Sequence, residues 1–261
     1  MDNDRDLEKG VSRDTLFAGR LHCFQNRSGY RFSVDAVLAA HFSPPTPDAK
    51  ILDLGGGCGV IGLICLYRWQ EQIASVSCLE LQSELAALAS RNMVMNGFTD
   101  KMKVVQGDLR CVLDFFPAET FSQVICNPPY YKKNSGRSCQ NEESFIARHQ
   151  VHCTLTEVVA AAAIMVKNRG KVVFIYPATG MSALFTTFKQ YHLTPKRLQT
   201  IYGYPDAAAS ARLILVEAVK NGGPGVQVMA PFYIHERRLG VYSAEMQLLY
   251  ASTSNEQRAN P

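Results

Sequence analysis

The sequence predicts an α/β protein built on a doubly wound, mostly parallel sheet of seven strands. From residue 50 onward, short apolar runs typical of buried strands alternate with longer segments of helical periodicity, which is the pattern of parallel strands joined by helical crossovers. A glycine-rich turn follows the first of these strands, at the place where open α/β sheets bind ligands. With 47% hydrophobic and 19% charged residues among 261, the chain can bury a large core.

Four regions are expected along the chain: a flexible tail, an N-terminal cap or extension, a main domain and a C-terminal tail. In order, they are residues 1–13, 14–47, 48–240 and 241–261. The first region alternates acidic and basic residues, which is typical of a frayed terminus. In the second, a turn signal at residues 26–29 predicts a hairpin or an extended lead-in, and Ser33 is predicted to cap a helix.

The helix after Ser33 is expected over residues 34–42, because prolines follow it. The main domain then opens with the alternating pattern. Strands are predicted at residues 50–54, 75–79, 102–105, 121–126 and 171–176, and helices at residues 58–69, 83–95, 154–166 and 181–192. Two further β-rich runs, residues 212–220 and 226–234, are joined by a segment rich in glycine. This arrangement predicts a closing hairpin, so the sheet is expected to end with antiparallel strands.

Composition excludes several classes of protein. The net charge of +4 permits a nucleic-acid partner but is lower than in dedicated DNA- or RNA-binding modules. The longest apolar run has nine residues, too short to cross a bilayer, and the charged N-terminus is unlike a signal peptide, so no membrane association is expected. Eight scattered cysteines without a C-x-x-C pair indicate reduced thiols in a cytoplasmic protein. His149 and His152 lie beside Cys153 without a second ligand cluster, so no metal site is expected.

The first motif that carries chemistry is the glycine-rich turn between Asp53 and Gly59. Glycines let the backbone turn sharply and let a ligand approach the main-chain N–H groups. Their spacing, Gly55-x-Gly57-x-Gly59, differs from the G-x-G-x-x-G of dinucleotide-binding enzymes, which disfavours a nicotinamide oxidoreductase. Acidic residues end the next two strands: Glu80 is suited to accept hydrogen bonds from ribose hydroxyls, and Asp108 from an adenine amino group.

The second motif is Asn127-Pro128-Pro129-Tyr130, directly after the predicted strand at residues 121–126. The prolines fix the backbone and remove N–H donors, which leaves the Pro128 carbonyl and the Asn127 side-chain oxygen as two acceptors. Two acceptors suit a planar –NH₂ group: they favour its pyramidal geometry and stabilise the positive charge that grows as the nitrogen attacks. The Tyr130 ring is suited to stacking on a flat base.

The two motifs together resemble class I methyltransferases, Rossmann-like enzymes that use S-adenosylmethionine (AdoMet). The resemblance implies that the glycine loop passes the methionine moiety, that the acid of the second strand holds the ribose and that the acid of the third strand contacts adenine. It implies a set of cofactor-binding residues in this chain: Asp53, Gly55, Gly57, Glu80, Asp108 and Asn127. The chain departs from the family pattern at Gly56, where Thr or Ala is more usual.

The segment from Asp14 to Leu38 is similar to the N-terminus of the bacterial tRNA(Val) adenine-37 N6-methyltransferases, and the resemblance extends from about residue 14 to 236. It implies that tRNA is the partner and that the residues before the first helix close the AdoMet pocket: Tyr30, Arg31, Ser33 and Asp35. It also implies that Asn127, Pro128 and Tyr130 form the catalytic set.

Basic residues follow the second motif, where a target base has to enter. Together with Pro129 they are the candidate RNA contacts: Lys132, Lys133, Arg137 and Arg148. Such side chains would position RNA through its phosphates. A solvated loop is the competing interpretation, since Glu142 and Glu143 lie in the same segment. The pairs Lys196-Arg197 and Arg237-Arg238 are weaker candidates for RNA contact.

Three alternative functions stay open from the sequence. The second motif specifies an amino nitrogen better than it specifies a substrate, so a glutamine amide of a release factor or guanine N2 of rRNA also fits. An AdoMet- or RNA-binding module without catalysis is the alternative outside the enzymes, and the intact motif from Asn127 to Tyr130 disfavours it.

Overall fold

The computed structural model describes residues 10–27, 33–128, 153–206 and 208–251. An N-terminal hairpin consists of β1 (Val11–Leu16) and β2 (Leu21–Asn26), and helix α1 (Val34–Phe42) follows it. The Ser33 hydroxyl caps α1 by accepting a hydrogen bond from the Asp35 backbone N–H at 3.3 Å. The predicted cap of this helix is therefore confirmed.

Within the described residues the main sheet has nine strands instead of the seven expected, seven of them long and two of only two residues. The long strands are β3 (Ala49–Leu54), β4 (Ile73–Glu80), β5 (Met102–Gln106), β6 (Phe121–Cys126), β7 (Val166–Pro177), β8 (Leu193–Tyr202) and β9 (Leu213–Lys220). The short strands are β10 (Gln227–Val228) and β11 (Phe232–Tyr233). Helices connect or follow them: α2 (Val60–Trp69), α3 (Ser83–Met95), α4 (Leu155–Met165), α5 (Met181–Gln190) and α6 (Ala244–Tyr250).

The strand order across the sheet is β10-β8-β9-β7-β6-β3-β4-β5, with β11 also paired to β8. The pairs from β5 through β4, β3 and β6 to β7 are all parallel. Strand β9 is antiparallel to both of its neighbours, β7 and β8. The predicted α/β class and the antiparallel C-terminal end of the sheet are thus confirmed.

Both faces of the sheet are buried, which explains why its strands are continuous apolar runs. Along β3, Ile51 packs into one core cluster, and Leu52 and Leu54 pack into the other, as the two-residue period of a strand requires. Helices α1, α2 and α3 and the N-terminal hairpin cover the first face. Helices α4 and α5 cover the second face.

Several boundaries differ from the sequence-based expectations. The hairpin turns between Leu16 and Leu21, not at residues 26–29, and Val11–Arg13 of the expected 1–13 tail belong to β1. The turn escaped prediction because Phe17 and Ala18 adopt positive φ angles of 54° and 53°, which non-glycine residues rarely do. Helix α6 lies within the expected 241–261 tail, where Ser243 caps it by accepting from the Met246 N–H at 3.1 Å.

The predicted hairpin of residues 212–220 and 226–234 is wrong. The first run is β9, which pairs with β7 and with β8, a strand that the sequence did not predict. The second run forms β10 and β11, which pair in parallel with β8 instead. Because β9 already has a neighbour on each side, it leaves no edge for a hairpin partner.

The N-terminal hairpin is fixed to α3 by two asparagines one helical turn apart. The Asn92 side chain accepts from the Phe24 N–H at 2.6 Å and donates to the Phe24 carbonyl at 2.9 Å. Asn96 makes the same pair of bonds with the backbone of His22, at 2.9 and 2.7 Å. The two amides thereby satisfy the edge of β2 that β1 leaves unpaired.

A second set of contacts joins the hairpin turn to α2, and α2 in turn to α1 and α6. Phe17 stacks on Tyr67 of α2 with ring centroids 4.4 Å apart, and the Arg68 guanidinium lies 4.5 Å from the Phe17 ring. Arg68 also donates to the Leu249 carbonyl of α6 at 2.7 Å and, through Nε, to His41 Nε2 at 3.0 Å. The expected N-terminal cap and C-terminal tail therefore pack against the same helix.

No helix within the described ranges is long and apolar enough to span a membrane. The cysteines that the structure covers, among them Cys58 and Cys78, are free thiols, and most of them are buried.

Candidate active site

The residues expected to bind a ligand come together at the carboxyl edge of the parallel strands. Gly55 follows β3, Glu80 ends β4, Asp108 lies two residues after β5, and Asn127 follows β6. These four strands are adjacent, in the order β6-β3-β4-β5. The observed strand order thus places both motifs side by side, because parallel strands deliver their carboxyl ends to one edge.

The glycine loop between β3 and α2 is an open backbone cradle. Gly55, Gly57 and Gly59 have φ angles of 71°, 58° and 80°, a region that residues with a Cβ avoid. The N–H groups of Gly55 and Gly56 donate to the Leu79 carbonyl at 2.9 and 3.1 Å, which joins the loop to β4. A Cβ on Gly55 would meet no atom within 4 Å, so this side of the loop has room for a ligand.

Gly56, the departure from the family pattern, is explained by Cys78. A Cβ at position 56 would lie 2.4 Å from Cys78 Sγ and 2.9 Å from the Asp53 carboxyl carbon. Cys78 lies on β4 directly beneath the loop and is fully buried. The thiol therefore occupies the space that a Thr or Ala side chain needs, and the two positions are sterically matched.

Asp53 supports the loop from below. Its side chain is 1% exposed, and Oδ2 accepts from the Gly62 N–H at 3.1 Å, in the first turn of α2. Since the N-cap residue of α2 is Gly59, which has no side chain, Asp53 takes over the capping role. Burial, with a smaller contribution from Glu80, raises the pKa of Asp53 to about 7. Asp53 Oδ1 is buried and has no hydrogen-bond partner among the residues that the structure describes.

Glu80 is 6% exposed and joins two backbone segments of the site. Its Oε2 accepts from the Gly57 N–H at 2.9 Å, and its Oε1 accepts from the Gln82 N–H at 2.9 Å. Each carboxylate oxygen keeps a second lone pair for a ligand. The carboxylate thus lies against the glycine loop, where a ribose bound over the loop would meet it.

Asp108 begins the short 3-10 helix Leu109–Asp114 and accepts from the Arg110 N–H at 2.9 Å. The Arg110 side chain turns back onto it, with Nε 2.8 Å from Asp108 Oδ2. These hydrogen bonds hold the pKa of Asp108 below its usual range, so the group is ionised. Arg110 is the partner that the sequence reasoning missed; its place two residues after a predicted ligand was the available signal.

Asn127 and Pro128 lie next to the glycine loop. Cys126, the last residue of β6, is the register partner of Leu54, the last residue of β3. Asn127 and Gly55 are the next residues after these two partners, at the same level of the sheet edge. Cys126 Sγ donates to the Leu54 carbonyl at 3.4 Å. Pro128 is buried and Asn127 is half-buried. The first half of the second motif therefore reaches the same edge as the expected cofactor residues.

Asp35, in the first turn of α1, belongs to the same end of the molecule. It feels the charge of Arg212, which immediately precedes β9, and its pKa is raised mainly because it is partly buried. Ser33 is exposed and serves as the N-cap of α1. The beginning of α1 is thus close to the edge where the strands end.

The remaining predicted site residues lie outside the described residues. They are Tyr30, Arg31, Pro129, Tyr130, Lys132, Lys133, Arg137 and Arg148. Their assigned roles stay predictions. Among the described ranges, no group of three or more His, Cys, Asp or Glu side chains is arranged to hold a metal ion.

Asn92 is the main residue of this region that the sequence reasoning did not identify. It is fully buried, and besides the hairpin it donates to the Cys58 carbonyl of the glycine loop at 2.9 Å. The available signal was an amide within the apolar stripe of Leu85, Leu88 and Ala89 on α3. One side chain therefore connects the hairpin, α3 and the loop.

Comparison with known proteins identifies the family of the chain. The methyltransferase small domain family matches residues 33–191. A tRNA1(Val) (adenine(37)-N6)-methyltransferase of Vibrio parahaemolyticus is 30% identical over 175 residues, 66% of this chain and 70% of that protein. The protein of the same description from Shewanella halifaxensis is 26% identical over 239 residues, covering 87% and 94% of the two chains.

Solved structures show the same architecture. A predicted O-methyltransferase from Agrobacterium tumefaciens superposes with a TM-score of 0.67 over 83% of this chain and 95% of that chain, at 21% sequence identity. This likeness confirms the class I methyltransferase fold. Since the family match spans more than half of the chain, including the glycine loop and Asn127-Pro128, the chain belongs to the methyltransferase small domain family and is an AdoMet-dependent methyltransferase.

Proposed function

We propose that this protein transfers a methyl group from AdoMet to the exocyclic N6 amino group of an adenine in tRNA, adenine 37 of a tRNA(Val), in the cytoplasm. The observation that carries the proposal is the position of Asn127-Pro128 beside the glycine loop, at the ends of the paired strands β6 and β3. The relatives from Vibrio and Shewanella, whose descriptions name this reaction, support the choice of substrate.

The residues of the carboxyl edge fit AdoMet. Gly55 has open space on its Cβ side and a φ angle of 71°, so the loop admits a ligand but not a side chain. Glu80 presents a buried carboxylate to the loop for the ribose hydroxyls, and Asp108 presents an ionised one to the adenine amino group. When bound, AdoMet supplies an electrophilic methyl group on a sulfonium. Ser33 and Asp35, with Tyr30 and Arg31, would close the pocket from the beginning of α1.

The protein's part in the chemistry is to position the amino group. The side-chain oxygen of Asn127 and the carbonyl of Pro128 accept hydrogen bonds from the two N6 hydrogens, and Tyr130 stacks on the base. Held this way, the nitrogen would direct its lone pair at the methyl group that AdoMet supplies. Its new bond to carbon would form as the C–S bond breaks, and one N6 proton would be lost to solvent. No nucleophile of the protein is needed, because the transfer is direct.

A target adenine has to leave its stack before both acceptors can reach its amino edge. A base in a single-stranded loop satisfies this requirement at low cost. We propose that Lys132, Lys133, Arg137 and Arg148, which follow the motif in sequence, hold the phosphates around that loop, and that Pro129 lines the entrance.

The test is a methyl-transfer assay with labelled AdoMet and unmodified tRNA(Val) transcripts, followed by nucleoside analysis. The expected product is N6-methyladenosine, and a transcript with guanine in place of adenine 37 is the matched control. If the label appeared in a release factor instead of tRNA, the substrate would be a glutamine amide and not an adenine. Absence of label in every substrate, with AdoMet binding intact, would contradict a catalytic role.

A further inference from the structure

The segment after β11 lies at the same edge of the sheet as the candidate active site. Strand β9 is antiparallel to both β7 and β8, so β8 runs parallel to β7 and its last residue, Tyr202, faces the carboxyl edge. Strand β11 continues beside that end, with Tyr233 paired to Tyr202. Three strand spacings separate β8 from β6, which amounts to about 14 Å.

The base of this segment is fixed to the sheet. The His235 N–H donates to the Gly203 carbonyl at 2.9 Å, and the Ser243 N–H donates to the Ile234 carbonyl at 3.0 Å. His235 and Tyr242 form an isolated antiparallel bridge, and Tyr242 stacks on Tyr250 of α6 with centroids 5.5 Å apart. The residues between the bridge partners, 236–241, therefore project as a short closed loop, here called the 236–241 loop.

The loop presents two cations and an apolar tip. Arg237 and Arg238 are exposed, and Leu239 is 99% exposed with a φ angle of 54°. The structure gives neither arginine an ion-pair partner among the residues it describes. Glu236 is the loop's single acid, and its N–H closes the loop by donating to the Val241 carbonyl at 3.1 Å.

Arg197 belongs to the other pair of adjacent basic residues, Lys196-Arg197, and unlike Arg237 and Arg238 it has partners within the fold. Its guanidinium donates to the Phe42 carbonyl at 3.1 Å and lies 3.5 Å from the buried carboxylate of Glu217, which also accepts from Ser43 Oγ at 2.6 Å. Arg197 is thus used inside the fold, to fix the end of α1 to β8 and β9. The contrast leaves Arg237 and Arg238 as a pair available to an external anion.

We infer that the 236–241 loop binds the sugar–phosphate backbone of the tRNA, with Arg237 and Arg238 on phosphates and Leu239 against an unstacked base. This inference rests on the proposed function. Arginine is suited to phosphate because its fork of N–H donors matches the oxygens, and exposed apolar side chains pack on base faces. The loop and the Asn127 motif would hold one RNA at two points of one edge.

The experiment compares the full-length protein with R237A/R238A and with the control K167A/K189A. Lys167 and Lys189 are exposed and lie at the start of β7 and the end of α5, on the opposite edge of the sheet, so the control removes the same charge elsewhere. Filter binding to tRNA at several salt concentrations and the KM for tRNA are measured for all three, together with AdoMet binding.

For R237A/R238A we expect the KM for tRNA to rise about tenfold and the log–log salt slope of binding to fall by about 1.5, as for the loss of two phosphate contacts. AdoMet affinity and the control variant should match the wild type. Equal tRNA binding by R237A/R238A and the control would overturn the inference, whether or not the wild type methylates tRNA. Wild-type protein that binds tRNA through this loop without methylating it would support the inference and refute the proposed function; wild type that does not bind tRNA would refute both.

Discussion

The steric match between Gly56 and Cys78 makes a quantitative prediction for a double-mutant cycle. In G56A the new Cβ would come within 2.4 Å of Cys78 Sγ and 2.9 Å of Asp53, and an ordinary carbon contact is above 3.4 Å. Both neighbours are almost completely buried, so neither side chain can move out toward solvent to relieve the close contact. Overpacking of this kind costs about 1–3 kcal/mol, and the shortness of the contact places G56A near the upper limit.

The variant C78A removes the obstructing sulfur and leaves a small cavity, at a cost of about 1 kcal/mol. In G56A/C78A the added methyl group enters that space, so the double variant is expected to be about 1–2 kcal/mol more stable than the sum of the single changes. Rescue is incomplete, because the contact with the Asp53 carboxyl group remains.

The assay is urea unfolding of the four proteins, followed by fluorescence, with calorimetric AdoMet binding on each. We expect G56A to weaken AdoMet binding, since the loop has to move away from Cys78, and the double variant to recover part of it. Additive effects on the free energy of unfolding, within about 0.5 kcal/mol, would refute the view that Cys78 determines the residue at position 56.

Three further outcomes are expected. N127A should abolish methyl transfer and leave AdoMet affinity within about threefold of the wild type, because Asn127 is assigned to the amino group; a large loss of cofactor affinity by calorimetry would count against that role. N92D should destabilise the protein more than N92A does, by urea unfolding, because a carboxylate oxygen would face the Phe24 and Cys58 carbonyls that the amide donates to; the reverse order would argue against the assigned amide orientation. Burial lowers the pKa of His41 to about 4. As the pH falls, His41 therefore takes up a proton at a higher pH in the unfolded chain than in the folded one. Its contribution to stability is therefore complete above pH 6.5 and falls by about 1.4 kcal/mol per unit as the pH drops toward 4, so the difference in unfolding free energy between wild type and H41N should shrink across this window; a constant difference would contradict the neutral state of His41.

The site was predictable from sequence to the extent that it depends on strand ends. Glu80 ends β4 and Asp108 lies two residues beyond β5, both at one edge, because a parallel sheet brings successive strand termini together whatever the details of packing. The turn at Phe17 was not predicted, since Phe17 and Ala18 precede its single glycine with left-handed backbone, and Phe17 packs on Tyr67, which is distant in sequence. Strand β8 was missed for a related reason: its pairing partner β9 follows it by ten residues and also pairs with β7, which local pattern does not reveal.

Polar residues inside the core were the other limit. Asn92 and Glu217 interrupt apolar runs, and the residues beside them in the sequence do not indicate which groups they hydrogen-bond to. Those partners lie 68 and 174 residues away, at Phe24 and Ser43. Such contacts depend on the tertiary arrangement, and only the structure identifies them.

The position of β9 has a consequence for how the chain acquires its shape during synthesis. Strands β3 to β6 of the described sheet pair only with one another and with β7, so they have all of their strand partners once residue 177 has emerged, before helix α5 covers one face. Strand β8 by contrast has to wait for β9 to arrive between it and β7. A ribosome-bound chain shortened before residue 213 would therefore carry the paired strands β3 to β7 beside an unpaired β8. Such a species is prone to association with other chains until the last fifth of the protein is made.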